Sequence, residues 1–305
     1  MMALTHELAR RGSPVRAFFE ERFPAQGFKG LSKAWYETVR ERPMVCMPPE
    51  GVNPGTLGTA FDYRARICWE PINWATTVAA GGALRTVGLG DTELDVLALE
   101  LRDELTRIAP VKCGDDLEPA AENRLCRCCY ALALYEQFFR TLDARESSPL
   151  LGLRGLATVE DLLALAPQSA VDDLATMVRT LCERYPDLVG IHAVLNPTFD
   201  GSVEIGGADA DLIVDGMLLE FKTTRRDSFE RVDHLYQLLG YALLDYSDTY
   251  TIRRVAVYMA RWGILVRWEI AELLESCGDS ANLSRLREDF RKVVVATGEA
   301  LAPDS

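Results

Sequence analysis

The chain has 305 residues, of which 48% are hydrophobic and 26% charged, as in ordinary globular proteins. Its formal net charge of −13 argues against a broad basic surface for nucleic acid, and its three histidines argue against histidine-rich zinc sites and histidine-based catalytic triads. No apolar run approaches the ~20 residues of a membrane span. Residues 1–11 also lack the apolar region of a signal peptide, so we expect a cytoplasmic protein with no membrane partner.

The first part of the chain is predicted to be mostly helical. A helix is expected over residues 13–24, with Ser13 as its N-cap and Pro14 in its first turn, whereas prolines and glycines predict a loop over residues 41–57. A helical segment begins at Gly58. Apolar residues spaced by three and four predict further helices over residues 92–108, 118–141, 158–166 and 170–185.

From Gly190 onward the pattern changes to short strands. Residues 191–197 and 202–205 are predicted to be strands, and a β-hairpin is expected over residues 206–222. A capping box of Asp227 and Glu230 begins a helix that runs to about Tyr246. A second antiparallel pair over residues 253–260 and 263–270 and a last helix over about 282–300 complete the chain. This order of elements predicts an α/β or α+β fold.

The hairpin over residues 206–222 has an unusual charged face. Asp215-Gly216 favours a two-residue type I′ turn, because both central positions of that turn need positive φ. Counting outward from the turn pairs the following residues across the hairpin: Val214 with Met217, Asp211 with Glu220, and Asp209 with Lys222. Two carboxylates directly opposite each other repel, so a cation between Asp211 and Glu220 is expected. The alternative is a solvated sheet face with an Asp209–Lys222 ion pair.

Carboxylate oxygens at this position predict a site for Mg²⁺ or Mn²⁺. Asp211 and Glu220 would be two ligands, and the backbone carbonyl of Phe221 could supply a third oxygen. A divalent cation lowers the pKa of a coordinated water and stabilises negative charge on a phosphate. Lys222, on the same face as Glu220, could orient the water or stabilise the transition state.

The helix after the hairpin adds two polar side chains to this face. Gln237 and Tyr241 are four residues apart and therefore lie on the same side of the helix. The opposite side is apolar, so one side is expected to pack on the sheet while Gln237 and Tyr241 face the cleft.

In their order and spacing, these residues resemble the PD-(D/E)XK nuclease superfamily. Asp211 and Glu220-Phe221-Lys222, followed by Gln-x-x-x-Tyr at 237–241, are most similar to the RecB-like branch, which includes the CRISPR adaptation nucleases. The branch has an upstream Gly-x-x-x-His that contributes a metal ligand, and here Gly58 is followed at that spacing by Asp62. Asp62 is therefore a possible third ligand, or else a helix-surface acid paired with Arg64 or Arg66.

The resemblance implies a restriction-endonuclease-like core with a mixed central sheet flanked by helices. We expect one domain over residues 1–305, with a helical segment at 1–57, a motif-bearing helix at 58–70, a large helical insertion at about 80–190 and a catalytic core at 191–270. By the same resemblance the function is hydrolysis of DNA phosphodiester bonds, with Asp211, Glu220, Lys222, Gln237 and Tyr241 as catalytic residues.

Two alternatives remain open at this stage. The acidic chain could be an inactive or partner-dependent nucleic-acid-binding or assembly module on a nuclease fold, docked onto a helicase or another protein that supplies the DNA contacts. It could also be a zinc or iron–sulfur protein that uses Cys113, Cys126, Cys128 and Cys129. The spacing of these cysteines matches no standard site, which favours buried free thiols.

Overall fold

The computed structural model describes residues 3–88, 92–108, 118–140, 147–153, 157–225, 232–278 and 282–301. The described helices before the sheet are α1 (Leu4–Ala9), α2 (Pro14–Arg22), α3 (Lys29–Arg40), α4 (Pro54–Arg66), α5 (Val78–Gly88), α6 (Thr92–Ile108), α7 (Pro119–Arg140), α8 (Val159–Ala164), α9 (Gln168–Arg184) and α10 (Pro186–Val189). Later helices are α11 (Val232–Leu244), α12 (Ile270–Ser276) and α13 (Leu283–Leu301). Short 3₁₀ helices cover Trp74–Thr76 and Pro149–Leu153.

Five strands form one mixed sheet in the order β1-β2-β3-β4-β5. The strands are β1 (Ala193–Leu195), β2 (Leu212–Val214), β3 (Met217–Lys222), β4 (Arg254–Met259) and β5 (Ile264–Glu269). Neighbours are antiparallel except β3 and β4, which run parallel and are connected through α11. The α+β class and the mixed sheet flanked by helices are therefore confirmed.

Both faces of the sheet are covered by helices because its strands are apolar on both sides. On β4, Ala256 and Tyr258 pack with helices α4–α10, whereas Val255 and Val257 pack with the other helices, α1–α3 and α11–α13. Strands buried on both faces read as continuous apolar runs. The residues predicted to be an insertion (about 80–190) thus contribute most of one of the two helical layers.

Most predicted elements are present, with some different boundaries. Ser13 caps α2 by accepting a hydrogen bond from the Val15 amide at 3.2 Å. The motif-bearing helix begins at Pro54 rather than Gly58, because the Asn53 side chain caps it by accepting from two backbone amides. The prediction of a strand at residues 202–205 was wrong, since these residues form turns. The predicted capping box at Asp227 and Glu230 lies outside the described residues.

Helices α5 and α7 approach so closely that one glycine is required. A Cβ at Gly82 would overlap the carbonyl oxygen of Tyr135 in α7. We predict that Gly82→Ala lowers the free energy of unfolding by about 1–3 kcal/mol, because the two helices must separate. Urea denaturation measures the change, with Gly30→Ala as the control. Gly30 also lies in a helix but has open space around it, so its change should stay within about 1 kcal/mol. Equal stability of the two variants would contradict the prediction.

No helix in the described part of the chain combines the length and the apolar character that crossing a membrane requires.

Candidate metal and phosphate site

The hairpin forms around the predicted turn. Asp215 and Gly216 have φ angles of 47° and 66°, as a type I′ turn requires, and Val214 pairs with Met217. The ladder between the two strands extends as far as the pair Leu212 and Leu219. The Asp-Gly turn therefore sets the register that was expected from the sequence.

Beyond this ladder, Asp211 contacts the opposite strand through its side chain. Its Oδ2 accepts a hydrogen bond of 2.6 Å from the amide of Phe221. Its carbonyl accepts from the amide of Asn196 at 3.0 Å, in line with the β1 partner strand. Asp211 therefore sits where its carboxylate borders the end of β3.

Burial raises the pKa of Asp211 to about 7, and the neighbouring Glu220 carboxylate adds to the rise. The cations of Arg66 and Lys222 and the amide of Phe221 act in the opposite direction. Two carboxylates that share a buried site raise each other's affinity for a proton, and a metal cation can take the place of that proton. The expected meeting of Asp211 and Glu220 is thus present in the fold.

Glu220 has one satisfied and one unsatisfied carboxylate oxygen. Its Oε1 accepts from Lys222 Nζ at 2.8 Å and from Gln237 Nε2 at 3.1 Å. Its Oε2 is buried and has no hydrogen-bond partner within the described residues. A buried acceptor without a partner is costly, and a cation at this oxygen would remove that cost.

The carbonyl of Phe221 points toward the same edge of β3. In a strand, the N–H and C=O of one residue point to the same side, as in a hydrogen-bonded antiparallel pair. The N–H of Phe221 is directed at Asp211, whereas the carbonyl of the next residue, Lys222, accepts from Ala260 on the other side at 2.8 Å. The donor set of Asp211, Glu220 and the Phe221 carbonyl fits a hard divalent cation.

Lys222 is held as a cation beside these carboxylates. Burial disfavours its charged form, but Glu220 and Asp211 outweigh burial and raise the pKa of Lys222. Its side chain is 23% exposed, so the ammonium can be reached from the cleft. Lys222 can therefore donate hydrogen bonds to a bound anion at neutral pH but cannot accept a proton there.

Gln237 and Tyr241 are on the face of α11 that meets the site. Gln237 Nε2 donates both to Glu220 and, at 2.9 Å, to Tyr241 Oη. Burial, assisted by the Glu220 carboxylate, raises the pKa of Tyr241 well above its ordinary value. Tyr241 therefore remains a phenol and can act as a hydrogen-bond donor but not as a base. Of the two expected catalytic partners, Gln237 contacts Glu220 directly.

Asp62 is engaged elsewhere. In α4 it forms an ion pair with Arg66, and its Oδ1 accepts from Arg66 Nε at 2.8 Å. Within the described ranges, no three His, Cys, Asp or Glu side chains are grouped closely enough to hold a metal ion. The structure thus has the Arg66 partnership that was the alternative for Asp62, which leaves Asp211 and Glu220 as the two candidate carboxylate ligands.

Asp209 does not pair with Lys222 as the extended register predicted. It forms a bridge with Thr198, and its carboxylate lies 3.6 Å from Arg140. The reason is that residues 209–211 turn away from β3 and continue alongside residues 196–198. The solvated-face alternative, which needed an Asp209–Lys222 ion pair, is therefore wrong.

The site residues line a cleft of about 1120 Å³. Asp62, Asp211, Glu220, Lys222, Gln237 and Tyr241 all contribute to its walls. Four further basic side chains also line it: Arg66, Arg140, Arg225 and Arg261. Arg140 could not be found from the sequence, because it precedes Asp211 by 71 residues and no local pattern connects them.

The cysteines of α7 are separate buried thiols. Burial raises the pKa of Cys128 to about 12, and those of Cys126 and Cys129 lie well above their ordinary values. Protonated thiols are poor ligands for zinc or iron. Cys113 lies outside the described residues. Within the described part of the chain, nothing favours the zinc or iron–sulfur alternative.

Comparisons of the chain with protein-family models, with curated proteins and with solved structures found no match.

The raised pKa of Asp211 predicts that metal binding depends on pH. A cation that binds Asp211 must displace its proton, so Mn²⁺ affinity should rise up to about tenfold per pH unit below pH 7 and level off above it. Titration calorimetry at several pH values measures this. Asp211→Asn is the control and should weaken binding and remove the pH dependence. Affinity that does not change below pH 7 would contradict the prediction.

The same group affects the stability of the metal-free protein. The pKa of Asp211 is raised above the ordinary value of 3.8, so the folded protein binds this proton more tightly than the unfolded chain does. The bound proton therefore stabilises the fold, and this contribution is fully present below pH 3.8. This contribution is lost as the pH rises toward about 7, the raised value.

Proposed function

We propose that the protein is a nuclease that hydrolyses DNA phosphodiester bonds with the help of Mg²⁺ or Mn²⁺. The observation that carries the proposal is the pair of the half-buried Asp211 and the buried Glu220, with one Glu220 oxygen unsatisfied and the Lys222 ammonium alongside. The resemblance of these residues to the RecB-like branch of the PD-(D/E)XK superfamily supports it, as does the mixed sheet whose parallel strands β3 and β4 are connected by α11.

Asp211, Glu220 and the Phe221 carbonyl would hold the cation. The cation supplies Lewis-acid chemistry and neutralises charge that develops on the phosphate. Asp62 belongs to this proposal only as the partner of Arg66, not as a ligand. Two carboxylates and a carbonyl form a small set of oxygen donors, which would suit a single Mg²⁺.

Lys222 and Tyr241 would act on the phosphate itself, whereas Gln237 would act through Glu220. The Lys222 ammonium donates hydrogen bonds to phosphate oxygens as negative charge grows on them. Gln237 keeps the Glu220 carboxylate in place through its 3.1 Å hydrogen bond. Tyr241, as a permanent donor, can bind a nonbridging oxygen or an adjacent phosphate.

The test is cleavage of labelled single-stranded and duplex DNA by the full chain with Mn²⁺, Mg²⁺ or no metal, alongside Mn²⁺ binding by calorimetry. We expect cutting that requires the metal, and Glu220→Gln should remove both cutting and tight metal binding. Glu288→Gln, on α13 outside the cleft, is the matched control and should leave both intact. Metal binding without cutting of any DNA would instead favour the module that depends on a partner. If the protein neither binds the metal nor cuts DNA, the proposal is overturned.

A further inference from the structure

A second cavity of about 380 Å³ adjoins the cleft. Four residues line both spaces: Arg66, Val78, Glu136 and Arg140. The remaining walls of the second cavity come from the segment before α5 (residues 70–77) and from the β1 region (residues 192–196). Because the two spaces share these four residues, they lie next to each other.

Two arginines stand where the spaces meet. Arg66 uses Nε and Nη2 for Asp62. Arg140 donates from Nε to Glu136 at 2.6 Å, and its Nη2 lies 3.6 Å from Oδ2 of Asp209. Their side chains are 16% and 51% exposed. In both guanidinium groups, Nη1 makes no hydrogen bond with the described residues. Each arginine therefore keeps donors for an additional anion, and phosphate is an anion that arginine binds well.

Polar side chains contribute to the wall of the second cavity, and one residue of this wall is hydrogen-bonded to Asp211. Asn73, Thr76 and Asn196 contribute to its wall. Asn196 adopts a φ of 49°, and its amide holds the carbonyl of Asp211 at 3.0 Å. Its side-chain amide forms no hydrogen bond with the part of the chain that the structure describes. Asparagine amides hydrogen-bond well to the edges of nucleic-acid bases.

We propose that this cavity receives the sugar and base of the nucleotide next to the scissile phosphate. Arg66 and Arg140 bind the phosphate that connects this nucleotide to the rest of the strand. The inference rests on the proposed nuclease function and adds a binding site to it. The cavity volume lies within the range of about 300–1,000 Å³ that is common for small-molecule sites. Asn196 then contacts the base while its backbone holds Asp211.

The first test fills the second cavity without touching the metal ligands. Val194 lines it and is 38% exposed, so Val194→Trp should fold normally. Val295→Trp is the matched control, since Val295 is also 38% exposed and lies on α13. With a labelled DNA strand of about 20 nucleotides and Mn²⁺, we expect Val194→Trp to raise KM about tenfold with kcat within about threefold. The control should match the unsubstituted protein.

The second test measures the phosphate contact directly. In a Glu220→Gln background without turnover, Arg140→Ala should reduce the slope of log affinity against log salt by about 0.7–0.9, as loss of one phosphate contact does. Fluorescence anisotropy of the same strand gives this slope. Arg102→Ala, at a similar exposure of 43%, is the control and should leave the slope unchanged. If Arg140 had only a structural role, its replacement would leave the salt slope unchanged.

The outcomes separate this inference from the function on which it rests. If the unsubstituted protein cuts DNA but Val194→Trp has the KM of its control and Arg140→Ala keeps the full salt slope, the second cavity does not hold a nucleotide and the inference is overturned. If the unsubstituted protein cuts no DNA with any metal, the proposed function fails first and the inference fails with it.

Discussion

Lys222→Met is expected to lower kcat for Mn²⁺-dependent DNA cleavage by about 10²–10³-fold, the effect of removing one donor to a charged transition state. Methionine keeps much of the length of the side chain but has no ammonium. The Glu220 carboxylate would lose its 2.8 Å partner and keep the hydrogen bond from Gln237. Mn²⁺ binding should persist or tighten, because a positive charge next to the ligands is removed.

Steady-state kinetics and calorimetry on the same preparation separate these two effects. Lys292→Met is the matched control: its ammonium is on α13, is 75% exposed and pairs, among the described residues, with Asp289. It should leave both kcat and metal affinity unchanged. If Lys222→Met keeps kcat within about threefold, Lys222 does not stabilise the transition state and the proposed mechanism loses its charged donor.

Asp173→Ala is expected to lower the free energy of unfolding by about 3–5 kcal/mol, because it leaves a buried arginine unpaired. Asp173, in α9, accepts two hydrogen bonds of 2.9 Å from Arg261, which lies between β4 and β5. Both side chains are only 3% exposed. This pair connects one helical layer to the sheet, so its loss should destabilise the whole fold.

The same pair supports the candidate site. Arg261 Nε donates to the carbonyl of Thr223 at 2.7 Å, directly after Lys222. We therefore expect Asp173→Ala to reduce cleavage as well as stability. Asp172→Ala is the control in urea denaturation, since Asp172 is exposed and its side chain is bonded, within the described part of the chain, only to Gln168, at 2.8 Å. Its effect should stay within about 0.5 kcal/mol. Equal urea midpoints for the two variants would show that the buried pair is dispensable.

Most of the described basic residues near the hairpin are paired with acidic ones. Arg253, Arg254 and Arg261 form ion pairs with nearby aspartates. Arg225 lines the cleft, and Arg226 and Arg231 lie outside the described residues. These pairings leave no broad basic surface among the described residues near the hairpin, in agreement with the net charge of −13.

Local chemistry alone determined the centre of the candidate site. Positive φ at Asp215 and Gly216 sets the register of the hairpin, and that register brings Asp211 near Glu220. The spacing of four residues places Gln237 and Tyr241 on one face of α11, where their side chains meet. These features follow from neighbouring residues, so they can be read from the sequence.

The tertiary structure decided the surroundings of that centre. Asp209 lies away from β3 because residues 209–211 pair with residues 196–198. Its ion-pair partner is Arg140, which comes from a helix far away in the chain. Only packing could show that both sheet faces are covered. The side chain of Asp62 could pair with Arg66 or ligate a metal, and both choices fit the same helical spacing. Contacts between residues far apart in the chain have no local pattern, so the sequence by itself left them open.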